Sequence, residues 1–391
     1  MHLGCLLMVI DQYSNFFSLY IYIGMLIPAI ILGLFGKKIK WYGMLVSIPA
    51  LILIFGLNSK QMFQFLGFIV VETFLVFLYF YINKRTKSKA AYYIIFAASF
   101  IPIILVKFCI YTPYNFLGFL GISYISFRVW QMFIEIHDGH IDKLSLPVLL
   151  YFFTFFPTIT SGPIDRYKRF TEDLEAKHTT KEYTSEFLTE GLKRICIGIF
   201  YKFVVAFIIN RYILDNIPDN KTFISVIIYM YAYTIYLFFD FAGYSSFAIG
   251  TGYLLGIHVP QNFDKPFLAH NMKEFWDRWH MSLSKWFGDY LFSRFILNTM
   301  RSGKIKSKKT AIRLGYLLTM IVMGVWHGPY LFYILYGLYQ GIMLILTDIY
   351  IKSSTYRKFK KSKLYNVISR VCCFQAVAFG MLLFSGYLIT I

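Results

Sequence analysis

His280 carries the side chain best suited to moving a proton at neutral pH, and it stands in an unusual setting. The stretch His270–Tyr290, HNMKEFWDRWHMSLSKWFGDY, packs Lys273, Glu274, Asp277, Arg278, His280, Lys285 and Asp289 among three tryptophans. The sequence on either side reads as membrane. Polar groups at membrane depth are costly and persist mostly where they line a cavity or do chemistry. Read as one helix, the stretch places His280 on a face with Trp276, Asp277, Leu283, Ser284 and Phe287. That face would bring a carboxylate three residues back and a hydroxyl four residues ahead within reach of the imidazole. A neutral imidazole with an ordinary pKa of about 6.5 suits a general base. Burial favours the neutral ring and Asp277 would favour the cation, so the two oppose each other. His327, in VWHGPY, likewise follows a tryptophan, Trp326, at the end of an apolar run. A lone membrane histidine often only bonds a main-chain carbonyl of a neighbouring helix, whereas two in matching surroundings favour chemistry. The pair is too small for a metal site, and no Cys or Glu stands at ligand spacing. No phosphate-cradling glycine loop, HExxH or GxSxG is present.

The elements that must position these residues are membrane helices. Of 391 residues, 58% are hydrophobic and 15% charged, where a soluble domain holds about 25% charged residues. The mean hydropathy is +0.57. The expected class is an all-α polytopic membrane protein. The net charge of +19 sits in short segments between apolar runs, the positive-inside pattern, which argues against nucleic-acid binding. Cys5, Cys109, Cys196, Cys372 and Cys373 form no CxxC pair, so neither a disulfide framework nor a zinc site is expected. Met1–Ile10 is apolar but has no basic flank and no small-residue cleavage site, so a cleaved signal peptide is not expected.

Spans are expected over residues 16–35, 41–56, 63–82, 90–109, 116–136, 187–214, 223–243, 314–326, 330–350 and 367–389. Basic clusters after the first run (Lys37, Lys38, Lys40) and the third (Lys84, Arg85, Lys87, Lys89) place both ends in the cytoplasm. The run 144–160 is too short for a simple crossing and is expected to be re-entrant. Residues 165–186, of balanced charge, are expected as an exposed loop or interfacial helix. Arg128 would either snorkel to an interface or serve at depth. Asp240 is expected to pair with a Lys or Arg of a neighbouring helix. Gly243, Gly250, Gly252 and Gly256 would give small faces for close helix packing.

The segments SYISFR (Ser123–Arg128), SGPIDRYKRF (Ser161–Phe170), FWDRWHMSLSKWFGDYLF (Phe275–Phe292) and MGVWHGPYLFYILYGLYQG (Met323–Gly341) resemble the membrane-bound O-acyltransferase (MBOAT) family, in the family's order and over most of the chain. Within it the chain is most similar to the members that D-alanylate teichoic acids. The segment FDFAGYSSFAIGTGYLLGIHVPQNFDKPF (Phe239–Phe267), leading into the histidine motif, carries that likeness. The resemblance implies a single transmembrane domain, 1–391, with a ring of about eleven tilted helices of some 20 residues each plus re-entrant and interfacial helices around a central tunnel. It implies a multi-pass protein of the bacterial cell membrane. His280 matches the family's catalytic histidine and His327 its second one, with Trp276, Asp277, Ser284 and Trp326 in support. The implied reaction takes D-alanine from a thioester on the phosphopantetheine arm of a D-alanyl carrier protein at the cytoplasmic side, with no tightly bound cofactor. The acceptor would be a teichoic acid chain or a hydroxyl on a small membrane protein, and an extracytoplasmic partner transferase would fit the scheme. The amphipathic segment LFSRFILNTM offers Phe295, Ile296 and Leu297 as apolar contacts for the carrier, beside a basic loop. Two other readings stay open: an O-acetyltransferase of another envelope polysaccharide, and a conduit or flippase in which the histidines only line the path.

Overall fold

The computed structural model describes residues 16–56, 59–108, 118–218 and 220–389. The signal-peptide reading and Cys5 and Cys109 lie outside the described residues. The principal helices begin with α1 Phe16–Leu34, α2 Lys40–Phe55, α3 Lys60–Thr86, α4 Lys89–Ala98, α5 Ile101–Phe108, α6 Ile122–His137, α7 Leu146–Thr154, α8 Tyr167–Glu175 and α9 Thr189–Ile199. There follow α10 Phe207–Tyr212, α11 Phe223–Leu254, α12 Met272–Arg278, α13 Met281–Phe287, α14 Ser293–Arg301, α15 Lys308–His327, α16 Leu331–Ile351, α17 Ser354–Phe359 and α18 Lys363–Ser385. Among the described residues three π-helical segments, Tyr183–Leu188, Phe200–Ala206 and Gly288–Phe292, interrupt the α-pattern.

Six helical stretches among the described residues are long and apolar enough to cross a bilayer: Lys60–Thr86, Lys89–Phe108, Phe223–Leu254, Lys308–His327, Leu331–Ile351 and Lys363–Ser385. Three shorter apolar stretches, Tyr20–Leu34, Lys40–Phe55 and Leu146–Thr158, accompany them. Large apolar side chains such as Phe63, Val70, Ile94 and Leu364 stand exposed on these helices. A surface of that kind needs lipid rather than water against it. The chain is an all-α polytopic membrane protein, as its composition requires.

The chain divides into two compact units, residues 1–199 with 244–260, and residues 200–243 with 261–391. The first unit is organised by a buried cation. Arg128 lies on α6 with 1% of its surface exposed. Its guanidinium donates to the carbonyls of Phe152 (3.0 Å), Phe153 (3.2 Å) and Thr158 (2.9 Å), and to the Thr158 hydroxyl. Arg128 therefore does not snorkel outward. It turns inward because α7 ends there, and the last carbonyls of a helix have no partner within it. Nine residues of α7 extend about 13 Å, less than half of a hydrocarbon core of about 30 Å. A helix that stops so early exposes main-chain groups that bilayer cannot satisfy, and Arg128 supplies their donors. The expected short segment at 144–160 is thus a short helix finished by a buried arginine.

Close helix approach is also present in this unit. A Cβ at Gly250 would lie 2.7 Å from the Gly191 carbonyl oxygen, so only a glycine fits where α9 meets α11. The apolar run predicts an end to α11 at Gly243, but the helix continues to Leu254 and carries Gly250 inside it. Gly256 serves differently: at φ +76° it forms the turn after that helix.

In the second unit, Lys202 of the π-helical segment Phe200–Ala206 donates to the Asp240 carboxylate at 2.6 Å, both side chains being buried. This is the ion pair expected for Asp240. Its net contribution to stability is small, because both ions lost their water, but removal of either partner would strand the other.

Candidate functional site

The histidine motif is not one continuous helix. α12 begins at Met272, capped by the Asn271 side chain, which accepts from Glu274 N–H at 3.0 Å. Glu274 accepts in turn from His270 N–H (2.9 Å) and from Arg278 (2.8 Å). Burial lifts the Glu274 carboxyl, but the His270 bonds and the Arg278 charge more than offset this and hold it below the usual range. The helix ends at Arg278. Trp279 is extended (φ −109°, ψ 128°), and His280 adopts the left-handed conformation (φ 45°, ψ 50°). A new helix, α13, starts at Met281.

A left-handed non-glycine residue costs roughly 1–2 kcal/mol, so something must hold it. The holder is residues 262–264, which run antiparallel to 278–281. Asp264 N–H donates to the Arg278 carbonyl (3.0 Å), and Met281 N–H donates to the Asn262 carbonyl (2.9 Å). Phe263 and Trp279 form the bridge between these two bonds. The Asn262 side chain then accepts from Ser282 Oγ at 2.6 Å and Ser282 N–H at 3.3 Å. His280 is therefore pinned from both sides. Its ring, 4% exposed, meets the edge of Phe241 at 4.7 Å between centroids. Burial pushes the imidazole down to about 3, against a weaker opposing bond to its own main chain. The ring is neutral at pH 7.

The break changes which expected partners face the ring. Asp277 belongs to α12 and stands exposed, so the shared face that a continuous helix would give Asp277 and His280 does not form. The Ser284 hydroxyl donates to the Trp279 carbonyl at 3.2 Å and so closes the turn rather than extending the imidazole's reach. Trp276 is buried and donates through Nε1 to Gln340 Oε1 of α16 at 3.2 Å. Asn262 escapes sequence reasoning, because nothing in a helical period points twenty residues upstream.

His327 is the last residue of α15. Its ring lies 4.6 Å from that of Trp326, 4.8 Å from Phe384 and 5.7 Å from Tyr333. Tyr336 adds an edge at 6.4 Å. Helix α16 thus carries both Tyr336, beside His327, and Gln340, bonded to Trp276. The two are four residues apart, or about 6 Å along the axis. One rigid helix therefore serves as a common ruler for the two histidine segments. Farther along the chain, Phe295 of α14 packs toward α15, where a Cβ at Gly315 would lie 3.5 Å from it. Ile296 is half-buried and Leu297 exposed. Among the described residues, no three of His, Cys, Asp and Glu are grouped to hold a metal ion.

A neutral, strained, shape-fixed histidine of this kind can take a proton from a hydroxyl in the step where that hydroxyl attacks an acyl carbon. Comparison with known proteins points to acyl transfer. Residues 50–389 match the family described as MBOAT, membrane-bound O-acyltransferase family. The chain is 40% identical to the teichoic acid D-alanyltransferase of Bacillus subtilis over 386 residues, 96% of this chain and 98% of the relative. It is 38% identical to the teichoic acid D-alanyltransferase of Streptococcus thermophilus, over 97% and 96% of the two chains. A probable alginate O-acetylase of Pseudomonas syringae is 30% identical over 68% of this chain and 48% of its own length.

Proposed function

The chain belongs to the membrane-bound O-acyltransferase family, and on that premise we propose that it esterifies teichoic acid with D-alanine in a bacterial cell membrane, His280 acting as the general base. The observation that carries the substrate is coverage. The D-alanyltransferase relatives align from end to end at 36–40% identity, whereas the alginate O-acetylase match stops at 68% of the chain. The observation that carries the base is the pinned left-handed turn. Strain of this size persists only where the surroundings over-determine it, and such sites cluster at active centres.

The donor in this reading is a D-alanyl thioester on the phosphopantetheine arm of a carrier protein at the cytoplasmic side. The acceptor is a hydroxyl of teichoic acid or of a small membrane protein that passes the group on. The acceptor O–H gives its proton to the imidazole as its oxygen bonds the thioester carbon. The carbon–sulfur bond then breaks, and the leaving sulfur takes the proton back as a thiol. A ring buried deeply enough to titrate near 3 does not take that proton in isolation. It does so as negative charge builds on the acyl oxygen beside it, so protonation and attack are one concerted step. His327 orients the acceptor or donates to that oxygen, and the exposed Leu297 with the basic loop after α14 docks an acidic carrier.

D-alanine ester content of teichoic acid, measured in cells with wild-type protein or His280→Ala at matched membrane levels, tests this. General-base loss predicts a fall of about 10²- to 10⁴-fold in transfer rate. Unchanged ester content would remove His280 from catalysis, and acetyl ester in place of D-alanyl ester would move the chain to the O-acetylase class.

A further inference from the structure

The first unit carries a shallow, open cleft, far in sequence from His280 and His327, between the turn joining α1 to α2 and the turn after α8. Lys37, Lys38 and Lys40 line one side, and His178 lines the other. Lys38 and Lys40 share one carboxylate, Glu175, with Lys38 at 3.6 Å. The bond from Lys40 holds that carboxyl below its usual range. Lys37 has no ion-pair partner among the described residues. Three cations against one carboxylate leave an excess of two positive charges. Asp173, also on the wall, accepts from His258 N–H (2.8 Å) and shares Arg169 (2.8 Å) with Asp165, so its charge is only partly offset and the net excess is between one and two positive charges. The N-terminus of α2 adds to the field: it starts at Lys40 with no side-chain cap.

The walls also say what fits between them. His178, whose Nε2 is buried without a hydrogen-bond partner, lines the cleft opposite the lysines. The floor is fixed, because the Tyr183 ring lies where any side chain at Gly33 would be, 2.3 Å from a Cβ there, and its hydroxyl donates to the Leu254 carbonyl at 2.8 Å. The lysines are flanked by Phe35 and Trp41, exposed by 74% and 67%. Basic residues between exposed aromatics at the end of membrane helices are the chemistry of the headgroup layer.

We infer that this cleft binds the phosphate of an anionic phospholipid, its chains lying along the apolar outer faces of α1 and α2. Such binding is independent of which acyl group the enzyme transfers. The occupant is a lipid rather than free phosphate because the cleft opens beside exposed Phe35, Trp41, Leu45 and Ile48, which only acyl chains would cover.

Native mass spectrometry of the full-length protein in detergent tests it, with phosphatidylglycerol and phosphatidylcholine of identical chains as probes. Wild type should retain phosphatidylglycerol over phosphatidylcholine. Lys37→Gln, which breaks no ion pair, should cut that preference about fivefold. The triple variant Lys37→Gln, Lys38→Gln, Lys40→Gln should abolish it, and His178→Gln should weaken it. Inorganic phosphate in excess should leave the lipid in place. Three results would overturn the inference: equal retention of both lipids by wild type, unchanged preference in Lys37→Gln and the triple variant alike, or full displacement by inorganic phosphate, which would make the cleft a small-anion site.

Discussion

Arg128 and His280 are both buried polar residues in apolar surroundings, yet they are held in opposite ways. Arg128 sits in a regular helix, and its side chain reaches out to three main-chain carbonyls that need it. His280 sits where two helices break, and the bonds at Asn262 and Asp264 fix the backbone on either side of it. In the first case the backbone is relaxed and both terminal nitrogens of the side chain are engaged in finishing another element. In the second the backbone is strained so that a ring stands in a chosen place. Burial alone therefore does not distinguish a polar group that finishes the fold from one held in place for another task. What distinguishes them is which part of the residue the neighbours hold.

Substitution should separate the two. Arg128→Ala should strip donors from the Phe152, Phe153 and Thr158 carbonyls at about 1–3 kcal/mol each. The expected result is loss of folded protein from the membrane, with any survivor retaining activity per molecule. His280→Ala should do the reverse, leaving membrane level and thermal midpoint near wild type while transfer is lost. If Arg128→Ala gave abundant, inactive protein, the two residues would belong to one class. The buried pair Lys202–Asp240 provides an intermediate case. Asp240→Asn should destabilise by about 3–5 kcal/mol, seen as a lower midpoint in detergent, whereas Lys202→Met with Asp240→Leu should restore most of it.

A finer variant acts on the backbone grip alone. Asn262→Ala removes the acceptor for Ser282 and loosens the His280 turn without touching the ring. Turnover should fall about tenfold, the scale of one lost hydrogen bond, and Asn262→Asp, which keeps an acceptor, should recover most of it. A purely structural Asn262 would instead lower the protein level of both variants. The smallest effect concerns pH. A group whose pKa is lowered from about 6.5 to about 3 stays in its neutral, base-competent form at every pH above the lower value. The acid limb of kcat/KM should therefore lie well below pH 6.5. A limb near 6.5 would mean a hydrated imidazole, reached by water that the packed turn is expected to exclude.

Much of the fold is readable from the chain alone. Most of the described spans follow the apolar runs, the Asp240 partner follows from the cost of an unpaired ion in lipid, and the shortness of 144–160 is a matter of counting. The histidine motif is legible as a candidate site because charge inside an apolar chain needs a reason. Its geometry is not. Phe275, Trp276, Leu283 and Phe287 keep a helical period straight through Trp279 and His280, and the break is imposed by pairing with Asn262 and Asp264, a contact no local period encodes. The role of Arg128 is hidden for the same reason: the carbonyls it serves lie 24 to 30 residues later.

At the π-helical segment Phe200–Ala206 the chain carries surplus length, because a π-turn closes its bond one residue later than an α-turn. Losing one residue there would let the α-pattern resume with everything beyond it in phase. The same loss inside α9 would rotate all that follows by about 100°. The segment is therefore a place where insertions and deletions can accumulate during descent without rewriting the helix. Lys202, the partner of Asp240, lies inside this segment, so a one-residue loss there would fall on the ion pair while the helix beyond it kept its phase.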